Sequence, residues 1–540
     1  MIAEKVSPAT LAILQGEPGW EVVTADQIPA GGLPTALEDA DALIVRSAVQ
    51  ADAVLLAHAP KLRLIGRAGV GVDNIDTAEA TRRGIVVMNT PGANAVAVAE
   101  LTLGLMIAMA RSIPRANAGM HEGKWDKKTL QGTELRGKTL GIVGLGRIGL
   151  EVARRAKAFG MTLIGYDPFV APVIARENDV TLVGIDEIFE ESDFLSLHVG
   201  LTPQTEGLIN KTSLAIMKPG VRIVNCARGE LIVDEALVEA LQSGHVAGAA
   251  LDVFRSEPLK NSPYFEIPSV LLSPHVAGST DEAQEAIGIQ LANQVRDYLK
   301  LGVVQNAVNV ASLSEEEYAE VSPYIEMASR LGQFLAHAMG SEGLGNVDSL
   351  TLNFNGRLAQ LKTDLIRNAA IAGLLQGSEG VNRINAAASA SERGIRLQEN
   401  KREHVPGGTG ATLRIIAHTA AGDSAVTGTV LHGTSPRLMR YDGIDVEAEL
   451  AGTLVVVRNN DVPGVIGHIG TVLGEAKLNI ASFALGRKAA EGGKPGTQAV
   501  AVVQVDGVQS TSQAALSGVL EQLRAVESIS SVRVVELGKL

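Results

Sequence analysis

Residues Lys138–Asp167 read KTLGIVGLGRIGLEVARRAKAFGMTLIGYD, and no other stretch limits the fold as tightly. An apolar run, Thr139–Val143, leads into a turn holding Gly144, Gly146 and Gly149. A helical segment, Leu150–Phe159, follows and is stopped by Gly160; a second apolar run, Met161–Gly165, ends at Tyr166 and Asp167. Strand, glycine turn, helix, strand and acid in this order predict a βαβ unit carrying the dinucleotide fingerprint GxGxxG. Gly144 lets the chain turn sharply, Gly146 lets the backbone approach a pyrophosphate, and Gly149 lets the helix pack close to the strand. The pyrophosphate would rest on free N–H groups at the positive end of the helix. Asp167 lies 18 residues after Gly149, where a carboxylate accepts hydrogen bonds from the adenosine ribose hydroxyls. The same charge repels a 2′-phosphate, so the motif favours NAD over NADP.

A chain of 540 residues that is 46% hydrophobic has room for three or four domains with large cores. Aromatics supply only 3%, so those cores must be aliphatic and alanine-rich. A net charge of −13 argues against a nucleic-acid surface. The one cysteine, Cys226, excludes an intramolecular disulfide and fits a reducing compartment, here the cytoplasm. MIAEKVSPAT lacks the apolar core of a signal sequence. Residues 93–110, ANAVAVAELTLGLMIAMA, are apolar but carry Glu100 near the middle, a costly charge in lipid. They predict a helix buried on most sides, at a subunit interface rather than in a membrane.

Residues 1–92 alternate helical stretches with apolar runs at Glu21–Ala25, Ala42–Val45, Leu62–Ile65 and Ile85–Met88, a parallel α/β pattern. Further strands are expected at Phe194–Val199, Val221–Cys226, Gly248–Val253 and Val270–Ser273. Ligands bind beyond the carboxyl ends of such strands, which makes Asp167, His198, Arg228, Asp252 and His275 candidates. A helix at Ile287–Leu301 would cross back to the first lobe and leave the site in a cleft. The expected division is 1–92 with 287–310, then 93–286, 311–450 and 451–540. The third block shows no chemical motif, and 402–410 reads as a loop. The last block gives the order βαββαβ, a ferredoxin-like split unit, with a loop at EGGKPG.

Three residues can carry chemistry. Arg228 in VNCARGE is a permanent cation that grips carboxylates. His275 in LLSPHVAGST can take a proton near neutral pH. Glu257 in LDVFRSEP, placed on the far imidazole nitrogen, would fix the tautomer and favour the charged ring. Each also has a structural reading, as an ion pair or a turn. The histidines show no metal-binding spacing.

GLGRIG, NCARGE, LDVFRSEP and SPHVAGST, in that order, strongly resemble the D-isomer-specific 2-hydroxyacid dehydrogenases over roughly residues 1–310. The resemblance implies that Arg228 binds the substrate carboxylate and polarises the carbonyl, while Glu257 and His275 form the acid–base pair. It places cofactor contacts at Val70, Gly144, Gly146, Arg147, Ile148, Gly149, Asp167, Cys226, Ala227, Arg228, Asp252, His275, Ala277 and Gly278. Substrate contacts fall at Arg46, Ser47, Gly69, Arg228 and His275. The nearest branch is the long form acting on D-3-phosphoglycerate, for three reasons. IVRSAV puts Arg46 and Ser47 at the substrate, RAGVGVDNID matches a glycine turn near the nicotinamide, and the C-terminal unit resembles an ACT domain. Where many relatives carry a second basic residue after Ser47, this chain has Ala48 and Val49; Lys127 or Lys128, from the same or a neighbouring subunit, would supply that charge.

The architecture implied is α/β: a Rossmann-type nucleotide-binding domain with a flavodoxin-like substrate domain, then an α+β intervening domain and a ferredoxin-like ACT domain. The activity implied is oxidation of 3-phosphoglycerate with NAD at the start of phosphorylated L-serine biosynthesis, by a homo-oligomer (dimer or tetramer). L-serine would be the effector, held by Asn459, Asp461 and Asn479. A glyoxylate or hydroxypyruvate reductase on the same scaffold is the alternative.

Overall fold

The computed structural model describes residues 1–313, 315–378, 380–403, 410–488, 497–506 and 513–538. Four sheets follow one another along the chain. The first is parallel, in the order β1 (Ala42–Val45), β2 (Leu64–Arg67), β3 (Val86–Met88). Its strands are buried almost throughout, as in a sheet covered on both faces. The expected strand Glu21–Ala25 does not form. Val23 accepts one hydrogen bond from the Ile2 N–H at 2.8 Å, then the chain turns tightly at Ala25–Gln27. Ile2 bridges Ile44 instead.

The second sheet holds β4 (Thr139–Val143), β5 (Thr162–Tyr166), β6 (Thr181–Leu182), β7 (Phe194–Leu197), β8 (Val221–Asn225), β9 (Val246–Leu251) and β10 (Val270–Leu272). All pair in parallel, in the order β10-β9-β8-β7-β4-β5-β6. The order reverses between β4 and β7, so the ligand crevice opens at the glycine turn. The helix Arg147–Ala158 begins three residues earlier than expected, because extended Gly146 serves as its N-cap. Val152, Ala153 and Ala156 bury its inner face against Leu140 and Ile142.

The helix Ala95–Ala110 is buried on most sides, with Val98, Ala99, Leu103 and Met106 in the same core. Val96, Glu100 and Gly104 are exposed, and Arg155 approaches Glu100 at 3.5 Å. No single described helix is long and apolar enough to cross a membrane; only Ala95–Ala110 with Ile113–His121 passes as a pair, and that pair is bent by 65°.

The return helix runs Asp281–Leu301, six residues longer at its start than expected, because Thr280 caps it through the Ala283 N–H; left-handed Gly302 stops it. Leu291 and Val295 close on β2 at Gly66, where any side chain would crowd them.

The third sheet runs β12-β11-β13-β14-β15-β16, comprising β11 (Val347–Asn355), β12 (Arg396–Arg402), β13 (Thr412–Thr419), β14 (Gly422–Leu431), β15 (Ser435–Tyr441) and β16 (Ile444–Glu449). The helix Glu315–Gly345, interrupted at Gly340, covers it. Neither β12 nor β15 has a counterpart in the sequence reading; RLQENKR of β12 is a polar edge strand without alternation.

The fourth sheet is antiparallel, order β18-β19-β17-β20, from β17 (Thr453–Asn460), β18 (Asn479–Arg487), β19 (Gln498–Asp506) and β20 (Ile529–Glu536). With the helices Val465–Glu475 and Gln513–Arg524 it is the expected ferredoxin-like unit. Of the expected loop 402–410, Arg402 ends β12 and residues 404–409 lie outside the described residues, as do the expected loop 491–496 and Ser314 of the expected linker.

Candidate active site

Strand ends of the second sheet deliver the polar residues. Asp167 follows β5, His198 follows β7, Arg228 lies three residues past β8, Asp252 follows β9, and His275 lies three past β10. His275 Nδ1 and Glu257 Oε2 are 2.7 Å apart. The Phe254 N–H donates to Glu257 Oε1 at 3.0 Å, leaving imidazole Nε2 as the outward nitrogen. Gly229 packs on the Phe254 backbone so tightly that a Cβ would overlap it, which ties the Arg228 turn to the Glu257 turn. Thus the loops of Arg228, Glu257 and His275 meet at one end of the sheet.

Asp252 is fully buried. Its Oδ1 accepts from Ser273 Oγ at 2.6 Å and the Val276 N–H at 3.0 Å, and its Oδ2 accepts from the Ala277 N–H at 2.9 Å. It therefore braces the His275 turn, in which His275 itself has φ +54. Gly278 sits against Asn94.

The nucleotide turn fits a dinucleotide. No side chain caps the helix at Gly146, and a Cβ there would meet open space. By contrast, a Cβ on Gly149 would overlap the Gly144 carbonyl, and one on Gly144 would lie 2.5 Å from the His198 carbonyl oxygen. The Leu145 N–H donates to Asp167 Oδ2 at 2.8 Å, while Phe169 and Val170 N–H groups hold Oδ1. Arg147 reaches across to the Pro91 carbonyl, and Ile148 is half-buried beside it. Ser196 Oγ lies 2.8 Å from His198 Nε2, and burial pushes that imidazole down to about 4. Cys226 and Ala227 continue β8, and burial pushes the Cys226 thiol up to about 12.

In the first lobe the site contains residues the sequence reading did not assign. Arg228 Nε pairs with Asp73 Oδ2 at 3.1 Å, and the end of its guanidinium lies against Gly71, where a Cβ would overlap it. Arg67 lies against Gly69; its Nε is buried with no hydrogen-bond partner among the described residues. Burial, then the neighbouring Arg228 charge, weakens its hold on its proton, while Glu4 and Asp73 oppose that. Gly69 and Val70 are anchored through Thr90 Oγ1 at 3.0 Å and Asn89 Nδ2 at 2.6 Å. Glu4 takes the N–H groups of Arg46, Ala48 and Val49 at 2.7, 3.2 and 3.1 Å. The turn around Arg46 and Ser47 thus spends these backbone donors on an internal carboxylate, so the Arg46 side chain and Ser47 are what it offers a substrate. Arg67 and Asp73 sit in the quoted RAGVGVDNID stretch; nothing in the sequence marks Glu4. Lys127 and Lys128 are exposed after the helix Ile113–His121.

In the C-terminal unit, Asn459 is buried with its Oδ1 unpartnered among the described residues. Asp461 Oδ1 faces Arg487 Nε at 3.3 Å. Asn479 donates to Asp506 Oδ2 at 3.0 Å at the opposite end of the sheet. β17 and β18 run the same way, and eight residues of β18 span roughly 26 Å. One chain therefore does not gather Asn479 with Asn459 and Asp461. Among the described residues no group of histidine, cysteine and acidic side chains could hold a metal ion.

Residues 103–277 match the D-isomer specific 2-hydroxyacid dehydrogenase NAD binding domain, and residues 320–442 match the D-3-phosphoglycerate dehydrogenase intervening domain. A D-3-phosphoglycerate dehydrogenase from Methanocaldococcus jannaschii is 39% identical over 520 residues, 96% of each chain. One from Synechocystis is 42% identical over 455 residues, 84% of this chain and 81% of that one. Among solved structures, D-lactate dehydrogenase from Aquifex aeolicus, complexed with NAD and lactic acid, is 28% identical with a TM-score of 0.50, covering 56% of this chain and 96% of its own. Fold, site geometry and identity along nearly the whole length agree: the chain belongs to the D-3-phosphoglycerate dehydrogenases, a branch of the D-isomer-specific 2-hydroxyacid dehydrogenases.

Proposed function

We propose that this chain oxidises D-3-phosphoglycerate to 3-phosphohydroxypyruvate with NAD, the first step of phosphorylated L-serine synthesis. The observation that carries the reading is the 2.7 Å His275–Glu257 pair at the strand ends beside Arg228. When bound, NAD supplies the hydride acceptor at the substrate C2. His275 Nε2 takes the C2 hydroxyl proton, and Glu257 holds the ring and stabilises the imidazolium that forms. Arg228 grips the substrate carboxylate and polarises the forming carbonyl. Arg46 and Ser47, helped by Arg67, receive the phosphate, with Lys127 or Lys128 of a neighbouring subunit adding charge. Asp167 favours NAD over NADP at the adenosine ribose.

The division into a substrate domain (1–92 and 287–310), a nucleotide-binding domain (93–286), an intervening domain (311–450) and an ACT domain (451–540) accords with the four sheets. A homodimer or tetramer is favoured by the partly exposed helix Ala95–Ala110, in which Val96 is exposed and Leu101, Leu105 and Ile107 are half-buried, and a cytoplasmic setting by the lone cysteine. L-serine would bind between two C-terminal units: Asn459 and Asp461 from one, Asn479 from the other, as their separation within one chain requires.

The test is NADH formation from D-3-phosphoglycerate, with product trapped chemically, with and without L-serine. Activity inhibited by serine supports both assignments. Uninhibited activity removes serine as effector. Reduction of glyoxylate or hydroxypyruvate, without phosphoglycerate oxidation, overturns the substrate assignment.

A further inference from the structure

The helix Thr77–Arg82 joins the active site to the third unit. At its carboxyl end, Asn385 Nδ2 donates to the Arg82 carbonyl at 2.9 Å, and Asn382 Nδ2 donates to the Gly84 carbonyl at 3.0 Å. Both asparagines are themselves held. The Asn382 N–H donates to Asn385 Oδ1 at 2.8 Å, the Ile384 N–H donates to Asn382 Oδ1 at 2.8 Å, and Asn385 Nδ2 also reaches the Gly380 carbonyl at 2.8 Å. Gly84, with φ +72, fits so closely under Asn382 that a Cβ would overlap the amide.

At the amino end, the Asp76 side chain accepts from the Glu79 N–H at 2.9 Å. The residues just before it touch both substrate arginines. Asp73 pairs with Arg228 Nε at 3.1 Å. Asn74 Nδ2 donates to the Arg46 carbonyl at 3.0 Å and to the Val49 carbonyl at 2.7 Å. A helix of six residues is about 9 Å long and moves as one hydrogen-bonded piece. A shift at its clasped end therefore reaches Asp73 and Asn74.

We propose that Asn382 and Asn385 are positioning residues: by clasping this helix, the third unit sets the placement of Arg228 and Arg46. The inference rests on the reading of those arginines as substrate-binding. Other contacts also hold the helix. Glu79 pairs with Arg82 and Arg83, and Asn309 Nδ2 donates to Thr81 Oγ1 at 3.0 Å. Loss of the clasp is thus expected to shift the helix rather than unfold it, and small misplacements of binding groups are costly.

The experiment compares the full-length chain with Asn382→Ala/Asn385→Ala and with the milder Asn385→Ser. Each removed hydrogen bond predicts a KM for D-3-phosphoglycerate raised about two- to tenfold, with the Kd for NADH raised less, since Val70 and Arg228 lie near the nicotinamide but nothing in the clasp touches the Gly144–Gly149 turn that would hold the pyrophosphate. Combined with Asp73→Asn, the asparagine substitutions should raise the KM by less than the product of the separate effects, because Asp73 carries part of the path and Asn74 the rest. An unchanged KM in a folded asparagine variant overturns the proposal, as does an effect that multiplies with Asp73→Asn. Equal loss of substrate and NADH binding also overturns it, since that marks a purely structural role. Arg228→Lys and Arg46→Ala separate the two readings. If neither raises the KM, the substrate assignment fails; if both do and the asparagine variants do not, only the clasp fails.

Discussion

His275 illustrates how one side chain acquires a task from its neighbours. Its Nδ1 is committed to Glu257, and Asp252 fixes the backbone on either side through Ser273, Val276 and Ala277. His275→Ala is expected to lower kcat by about 10²–10⁴-fold while leaving NADH affinity intact, measured by fluorescence titration; equal losses would place His275 in the fold and not in the chemistry. Cys226 is the opposite case. Burial holds its thiol at about 12, so almost no thiolate exists at pH 8. Alkylation followed by mass spectrometry should be slow in the native protein and fast in denaturant, and rapid native labelling would refute the burial argument. Much of this was legible beforehand, because Arg228, Glu257 and His275 sit in distinctive local motifs. Glu4 was not: it acts on a turn 42 residues away, and nothing local marks it.

At the scale of elements, the glycine turn is held by backbone contact on both sides. Gly149 lies on the Gly144 carbonyl, and Gly144 lies under His198. Gly149→Ala forces a Cβ into occupied space, which should destabilise the fold by about 1–3 kcal/mol and weaken NADH binding by displacing the turn. A Gly146→Ala variant meets no protein atom and should leave stability nearly unchanged while obstructing the pyrophosphate. Paired melts and NADH titrations of the two variants check this; equal destabilisation would refute the distinction. Periodicity placed β4, β5 and the helix between them within a few residues. It failed for β12, whose polar edge has no alternation, and for Glu21–Ala25, whose apolar run never finds a neighbouring strand.

Across the molecule, the third and C-terminal units share one apolar core, in which Leu454, Val456, Val500, Val502 and Val535 pack with Leu438 and Val446, and polar contacts reinforce the junction. Arg330, on the helix Glu315–Gly345, donates to the Leu450 and Leu537 carbonyls at 2.9 and 3.1 Å. Arg458 of β17 stacks 4.4 Å above the Tyr441 ring, which meets Phe334 edge-on. Global stability should also depend on His198. Its folded value of about 4 lies below the ordinary 6.5, so the unfolded chain binds the extra proton. The contribution is complete above pH 6.5 and is lost as pH falls toward 4; a shift of this size corresponds to about 3 kcal/mol. Thermal melts from pH 7 to pH 4.5 should fall less steeply for His198→Asn than for the parent chain, and parallel curves would remove His198 as the cause.

Local order along the chain was enough for the βαβ nucleotide unit, the parallel α/β lobes, the ferredoxin-like tail and the motif residues, because those signals depend on periodicity, glycine spacing and short-range turns. Only the folded chain could place Asp73 on Arg228, spend the Arg46 turn on Glu4, separate Asn479 from Asn459, and lay Asn382 and Asn385 on the Thr77–Arg82 helix. Each of those relations is between residues distant in the sequence, and such placements arise from how packed elements meet, which no window of sequence contains.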